Sequence, residues 1–64
     1  MEKEICHNID LIKEMIKEVD SKLVGIQLRL RYCYEYSNNK KYLSLSMIVC
    51  NIRDIISKIN EMLL

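Results

Sequence analysis

Apolar and polar residues alternate strictly between Val24 and Ser37. Every even-numbered position is apolar or aromatic, and among the odd-numbered positions only Cys33 is apolar. A period of two places the two sets of side chains on opposite faces of a β-strand. The pattern therefore predicts an extended segment whose apolar face carries Val24, Ile26, Leu28, Leu30, Tyr32, Tyr34 and Tyr36.

A cluster of turn-favouring residues, Asn38-Asn39-Lys40-Lys41, follows this segment, and the alternation then resumes through Met47. Asparagine tolerates the left-handed backbone that tight turns require. Folding the two runs about Asn38-Asn39 gives one wholly apolar face, and a slip of one residue would destroy that match. A turn at Asn39-Lys40 keeps the same faces, so the pattern leaves both turn positions open. Residues 23–48 are therefore predicted to form a two-stranded antiparallel hairpin.

Amphipathic segments flank the predicted hairpin. Residues 2–20 carry apolar side chains at helical spacing, and residues 51–64 do so again. The predicted fold class is thus α+β, a small α-β-β-α domain with both helices on the apolar face of the hairpin. Because a lone two-stranded hairpin is a poor platform with unpaired edges, we expect the domain to be dimeric.

Heptad spacing in the same chain supports an alternative fold. Apolar residues recur at steps of four and three throughout the first half, and a second such series follows the asparagines. An all-α helical hairpin that dimerises into a four-helix bundle fits this spacing. The first series is Ile5, Ile9, Ile12, Ile16, Val19, Leu23, Ile26, Leu30 and Cys33, and the second is Leu45, Ile48, Ile52, Ile55, Ile59 and Met62.

The length and composition of the chain also favour association. It has 64 residues, of which half are hydrophobic, and a chain this short buries only about 60% of its unfolded surface. Small domains gain stability from disulfides, metals or oligomerisation. Three cysteines cannot all pair within one chain, and no signal peptide is recognisable, so we expect a reducing cytoplasmic location. Of these three sources of stability, oligomerisation is therefore the one we expect, either as a homodimer or with another protein. No apolar run is long enough to span a membrane.

Basic residues and a widened apolar arc supply the candidate binding residues. The net charge is +1, which gives no global attraction to nucleic acid. Positive charge is nevertheless concentrated in the predicted hairpin, at Arg29, Arg31, Lys40 and Lys41. Leu11 and Met15 widen the apolar arc of the first helix beyond what one partner surface needs. Both groups are predicted contact sites.

Catalytic and metal-binding patterns are sparse. Adjacent Cys6 and His7 point about 100° apart on a helix, so they cannot form a catalytic dyad. Structural zinc sites usually show paired ligands at short spacing, and only one such pair occurs here. No phosphate-binding or nucleophile motif is present. We therefore expect that the protein is not an enzyme and that it binds neither a metal nor a cofactor.

These observations predict a small non-enzymatic protein–protein interaction module, a dimeric regulator or inhibitor of another protein. The alternative is a nucleic-acid-binding protein that uses the basic face of the hairpin, since two-stranded ribbons can enter the DNA major groove. That alternative needs the arginines and tyrosines on one exposed surface, whereas strand alternation places them on opposite faces.

Overall fold

The computed structural model describes the whole chain, Met1 to Leu64, as two antiparallel α-helices joined by a two-residue turn. Helix α1 spans Glu2–Ser37 and helix α2 spans Lys40–Met62. No strand is present. The α+β prediction, with a β-hairpin over residues 23–48, is therefore wrong, and the alternative of an all-α helical hairpin describes the fold.

The alternation that suggested a strand is the sum of two helical stripes. Val24, Leu28, Tyr32 and Tyr36 are four residues apart and follow one line along α1, whereas Leu30 and Tyr34 belong to another line that faces α2. The leucines in these lines favour a helix, and so do the glutamine, the arginines and the glutamate between them. The helix also continues beyond residue 20, where the first predicted helix ends.

The turn lies at Asn38 and Asn39, one of the two positions that the sequence left open. Asn38 has the left-handed backbone angles φ 53° and ψ 21°, and its N–H donates to the carbonyl oxygen of Tyr34 at 2.8 Å. The side chain of Asn39 then accepts a hydrogen bond from the Lys41 N–H at 3.0 Å, which caps α2. Each asparagine thus satisfies one requirement of the turn.

The surface between the two helices follows a heptad pattern that includes polar residues. Of the seventeen least exposed positions, all but Val24, Gly25 and Cys33 recur at steps of three or four, or of seven before Leu63, as in a coiled-coil pair. Five of these fourteen contact residues are polar or charged. They are Ile9, Lys13, Ile16, Asp20, Leu23, Gln27, Leu30 and Tyr34 in α1, and Tyr42, Ser46, Val49, Arg53, Ile56 and Leu63 in α2.

A single hairpin encloses almost no core. Val49 is the one buried residue of the 64. The molecule measures 53 × 15 × 12 Å and exposes 5668 Å² of surface. A compact chain of 7.7 kDa is expected to expose about 4,300 Å². The isolated hairpin therefore exposes roughly 1,300 Å² more surface than a globular chain of its mass.

Candidate interaction surface

Ten of the exposed aliphatic side chains belong to the two heptad series and lie outside the contact between the helices. They are 39 to 88% exposed, although they form the most regular apolar series in the sequence. In α2 the whole predicted series points away from α1, and in α1 alternate members of the series do so. We call this set the apolar face; it consists of Ile5, Ile12, Val19, Ile26, Leu45, Ile48, Ile52, Ile55, Ile59 and Met62.

Both helices present the apolar face on the same side of the hairpin. Val19 directly precedes the contact residue Asp20, and Ile52 directly precedes the contact residue Arg53. One residue is a rotation of about 100° around the helix axis. Because the two right-handed helices run antiparallel, the same rotation in each one leads to the same side of their common plane. The apolar residues of α1 and α2 thus form one continuous surface.

The opposite side of the hairpin is more polar, although Val24 and Leu28 also lie there. Two shallow grooves between the helices lie there, and residues that directly follow contact residues line them, such as Lys17, Asp54 and Ser57 in one groove and Arg31 in the other. Both grooves are open to solvent and are mostly polar. The molecule therefore has a polar side and an apolar side, and the asymmetry identifies the apolar side as the candidate interaction surface.

A polar layer crosses the contact between the helices near its middle. The Nε of Arg53 lies 3.0 Å from Oδ1 of Asp20, and its Nη1 donates to Oε1 of Gln27 at 3.1 Å. The hydrogen bond and the charge of Asp20 raise the pKa of Arg53 above its ordinary value. One side chain of α2 therefore contacts two side chains of α1 that are one heptad apart.

A smaller aromatic surface lies near the turn, away from the apolar face. The rings of Tyr32 and Tyr36 are in contact, with centroids 4.4 Å apart. A hydrogen bond to Tyr36 raises the pKa of Tyr32 above its ordinary value. Leu28 and Met47 are also exposed here, and Leu28 lines one of the polar-side grooves. A partner on the apolar face would leave this surface uncovered.

The helix separates the two arginines that the sequence grouped together. Two residues correspond to a rotation of about 200°, so Arg29 and Arg31 lie on nearly opposite sides of α1. Nη1 of Arg29 donates to the carbonyl oxygen of Gly25 at 3.2 Å, whereas Arg31 lines a groove beside Ser46. The β-hairpin face that the nucleic-acid hypothesis required does not exist in this fold.

The other predicted binding residues lie in two places. Lys40 and Lys41 form the first turn of α2, where Lys41 Nζ is 5.1 Å from the ring centroid of Tyr42. Leu11 and Met15 are both exposed on the outer side of α1. Met15 is three residues after Ile12, so it borders the apolar face and widens it.

The structure brings no three Cys, His, Asp or Glu side chains together in a metal-binding arrangement. Cys6 and Cys50 are exposed, Cys33 is half-buried, and all three are free thiols. Neither helix contains a stretch that is both long and apolar enough to cross a membrane.

Comparison with known protein families, with curated proteins and with solved structures finds no match to this chain. Function is therefore inferred from the geometry of the chain itself. The residues that matter most in that geometry are Val19, Ile26, Ile52, Ile55 and Ile59, none of which the sequence singled out as a binding residue. Their heptad spacing is visible in the sequence, and only the structure shows that the contact between α1 and α2 leaves them exposed.

Proposed function

We propose that this chain is a non-enzymatic protein–protein interaction module that associates with a second copy of itself through the apolar face. In such a homodimer the two hairpins form a four-helix bundle, whose core is made of the ten aliphatic side chains that one hairpin leaves exposed. The role that fits this module best is a small regulator or inhibitor that acts by binding another protein. Three free thiols accord with a reducing compartment such as the cytoplasm.

The observation that carries the proposal is the exposure of the apolar face. Monomeric proteins rarely expose contiguous apolar patches larger than a few hundred Å². The surplus of roughly 1,300 Å² over a compact chain exceeds the 800 Å² or so that each partner contributes to a standard interface. A second hairpin offers a surface of the same chemistry and length, and cyclic dimers are the commonest protein assemblies.

Sedimentation equilibrium of the unaltered protein at low micromolar concentration tests the proposal. We expect a mass about twice the 7.7 kDa of one chain. A well-folded, helical monomer at that concentration would overturn the proposal, because it would show that the apolar face is stable in water without a partner.

A further inference from the structure

We propose that the two hairpins of the dimer run in opposite directions, with the twofold axis beside Val19 and the turn of each hairpin next to the N-terminus of the other. This inference rests on the proposed self-association and specifies its polarity and register. Three independent features of the chain lead to it: the spacing of the apolar face along α1, the unequal lengths of the helices, and the distribution of charge.

The apolar residues of α1 are symmetric about Val19. The four residues of the apolar face in α1, Ile5, Ile12, Val19 and Ile26, are seven residues apart, and the half-buried Cys33 continues the spacing, which makes Val19 the central member. An antiparallel pair of α1 helices centred there places Ile5 of one chain opposite Cys33 of the other, Ile12 opposite Ile26, and Val19 opposite itself. The same register overlaps nearly the whole Glu2–Ser37 span of both helices, since it pairs residue 2 with residue 36. Shifting the pairing by one heptad in either direction leaves apolar residues without a counterpart.

The unequal helix lengths favour the same arrangement. Helix α1 has 36 residues and α2 has 23, and both start from the turn. Roughly 20 Å of α1 at its N-terminal end therefore extends beyond the end of α2. In the antiparallel dimer this segment, which includes Ile5, lies beside the first turns of the partner's α2, where Leu45 and Ile48 belong to the apolar face. In a parallel dimer the two extensions could contact only each other.

Charge distribution distinguishes the two polarities as well. Residues 1–22 contain four lysines and six acidic residues, a net charge of −2, whereas residues 23–42 contain four basic residues and one acidic residue, a net charge of +3. The antiparallel arrangement places the acidic end of one chain, with Glu2 and Glu4, beside the turn of the other, with Lys40 and Lys41. A parallel dimer would bring like charges together, which is unfavourable.

Thiol cross-linking tests the register. Three chains are made in a Cys6→Ser and Cys50→Ser background: one keeps Cys33 as its single cysteine, a second carries Ile5→Cys with Cys33→Ser, and a third carries Ile5→Cys with native Cys33. A bifunctional thiol reagent that spans about 10 Å, the usual separation of packed helices, is added to each. Positions 5 and 33 of one chain are roughly 40 Å apart, so no link forms within a chain.

We expect covalent dimers from the third chain, and from an equimolar mixture of the first two, but not from either single-cysteine chain alone. Peptide mass spectrometry should then show links between positions 5 and 33. Links from 33 to 33 and from 5 to 5 in the single-cysteine chains would overturn the antiparallel arrangement in favour of a parallel dimer. Absence of links in a preparation that sediments as a dimer would overturn the register. Sedimentation as a monomer before cross-linking would instead overturn the proposed self-association.

Discussion

The guanidinium group of Arg53 lies between two side chains of α1, with its Nε 3.0 Å from Asp20 and its Nη1 3.1 Å from Gln27. This contact occupies a heptad position where an aliphatic residue would pack more closely. Both side chains of the Arg53–Asp20 ion pair are more than a third exposed, so the pair contributes little stability by itself. A polar group in a helix–helix contact instead favours one register, because a shift by one heptad in either direction takes Arg53 away from Asp20 or from Gln27.

A double-mutant cycle on Asp20→Asn and Arg53→Ala measures this contact. We expect each single change to lower thermal stability slightly and the double change to cost less than the sum, since each single change already removes the ion pair. The coupling should decrease as salt concentration rises, because the pair is partly exposed. Additive effects at low salt would show that the contact has no energetic role.

The turn provides a second prediction, at Asn38. Its φ of 53° lies in the left-handed region, where a residue with a Cβ is disfavoured by about 1–2 kcal/mol unless it is asparagine or aspartate. Asn38→Ala should therefore lower the free energy of unfolding by about 1 kcal/mol, as measured by urea denaturation. Asn38→Gly is the matched control and should leave stability unchanged or raise it. Equal losses in both variants would contradict this account of the turn.

The cap of α2 gives a third prediction. The side chain of Asn39 accepts the N–H of Lys41, and losing such a cap usually costs about 1 kcal/mol. Asn39→Ala should show that loss in the same denaturation experiment. Asn39→Asp retains an accepting oxygen and also places a negative charge at the positive end of the helix, so it should be at least as stable as the unaltered chain. An Asn39→Ala variant as stable as the unaltered chain would show that the cap is unimportant.

Stability should depend on protein concentration. One buried residue cannot stabilise the hairpin alone, so the folded state should gain most of its stability from the second copy. The midpoint of thermal unfolding, followed by circular dichroism, should rise as protein concentration rises from the micromolar to the millimolar range. A midpoint that is independent of concentration would indicate a folded monomer.

The sequence predicted the turn, but it predicted strands where the chain is helical on both sides of that turn. The two asparagines mark a reversal in either fold, because their backbone preferences suit a strand turn and a helix turn alike. The alternation from Val24 to Tyr36 led to the wrong prediction of a strand. In the helix it arises from two apolar stripes, each with residues four positions apart, which together occupy every even-numbered position. The heptad spacing from Ile5 to Cys33 indicated the correct fold, because apolar residues at steps of three and four share one face of a helix but not of a strand.

The candidate site was less predictable than the fold. Heptad spacing identifies which residues are apolar on a helix, but it does not specify which of two adjoining stripes faces the other helix of the same chain. Here the mixed stripe that contains Asp20 and Arg53 forms the contact within the hairpin, and the purely apolar stripe that contains Ile52 is left exposed. Only the relative rotation of the two helices, which is a tertiary property, distinguishes these arrangements.

The central claim is that a second copy covers the apolar face, and a matched pair of lysine substitutions in α2 tests it most directly. Ile55 and Met47 are 56% and 66% exposed in the hairpin, so neither Ile55→Lys nor Met47→Lys should disturb α1–α2 packing. Ile55 belongs to the apolar face and Met47 does not. Sedimentation equilibrium should show that Ile55→Lys abolishes the dimer, because burying an unpaired charge is strongly unfavourable, while Met47→Lys leaves it intact. Dimers of equal affinity from both variants would contradict the claim.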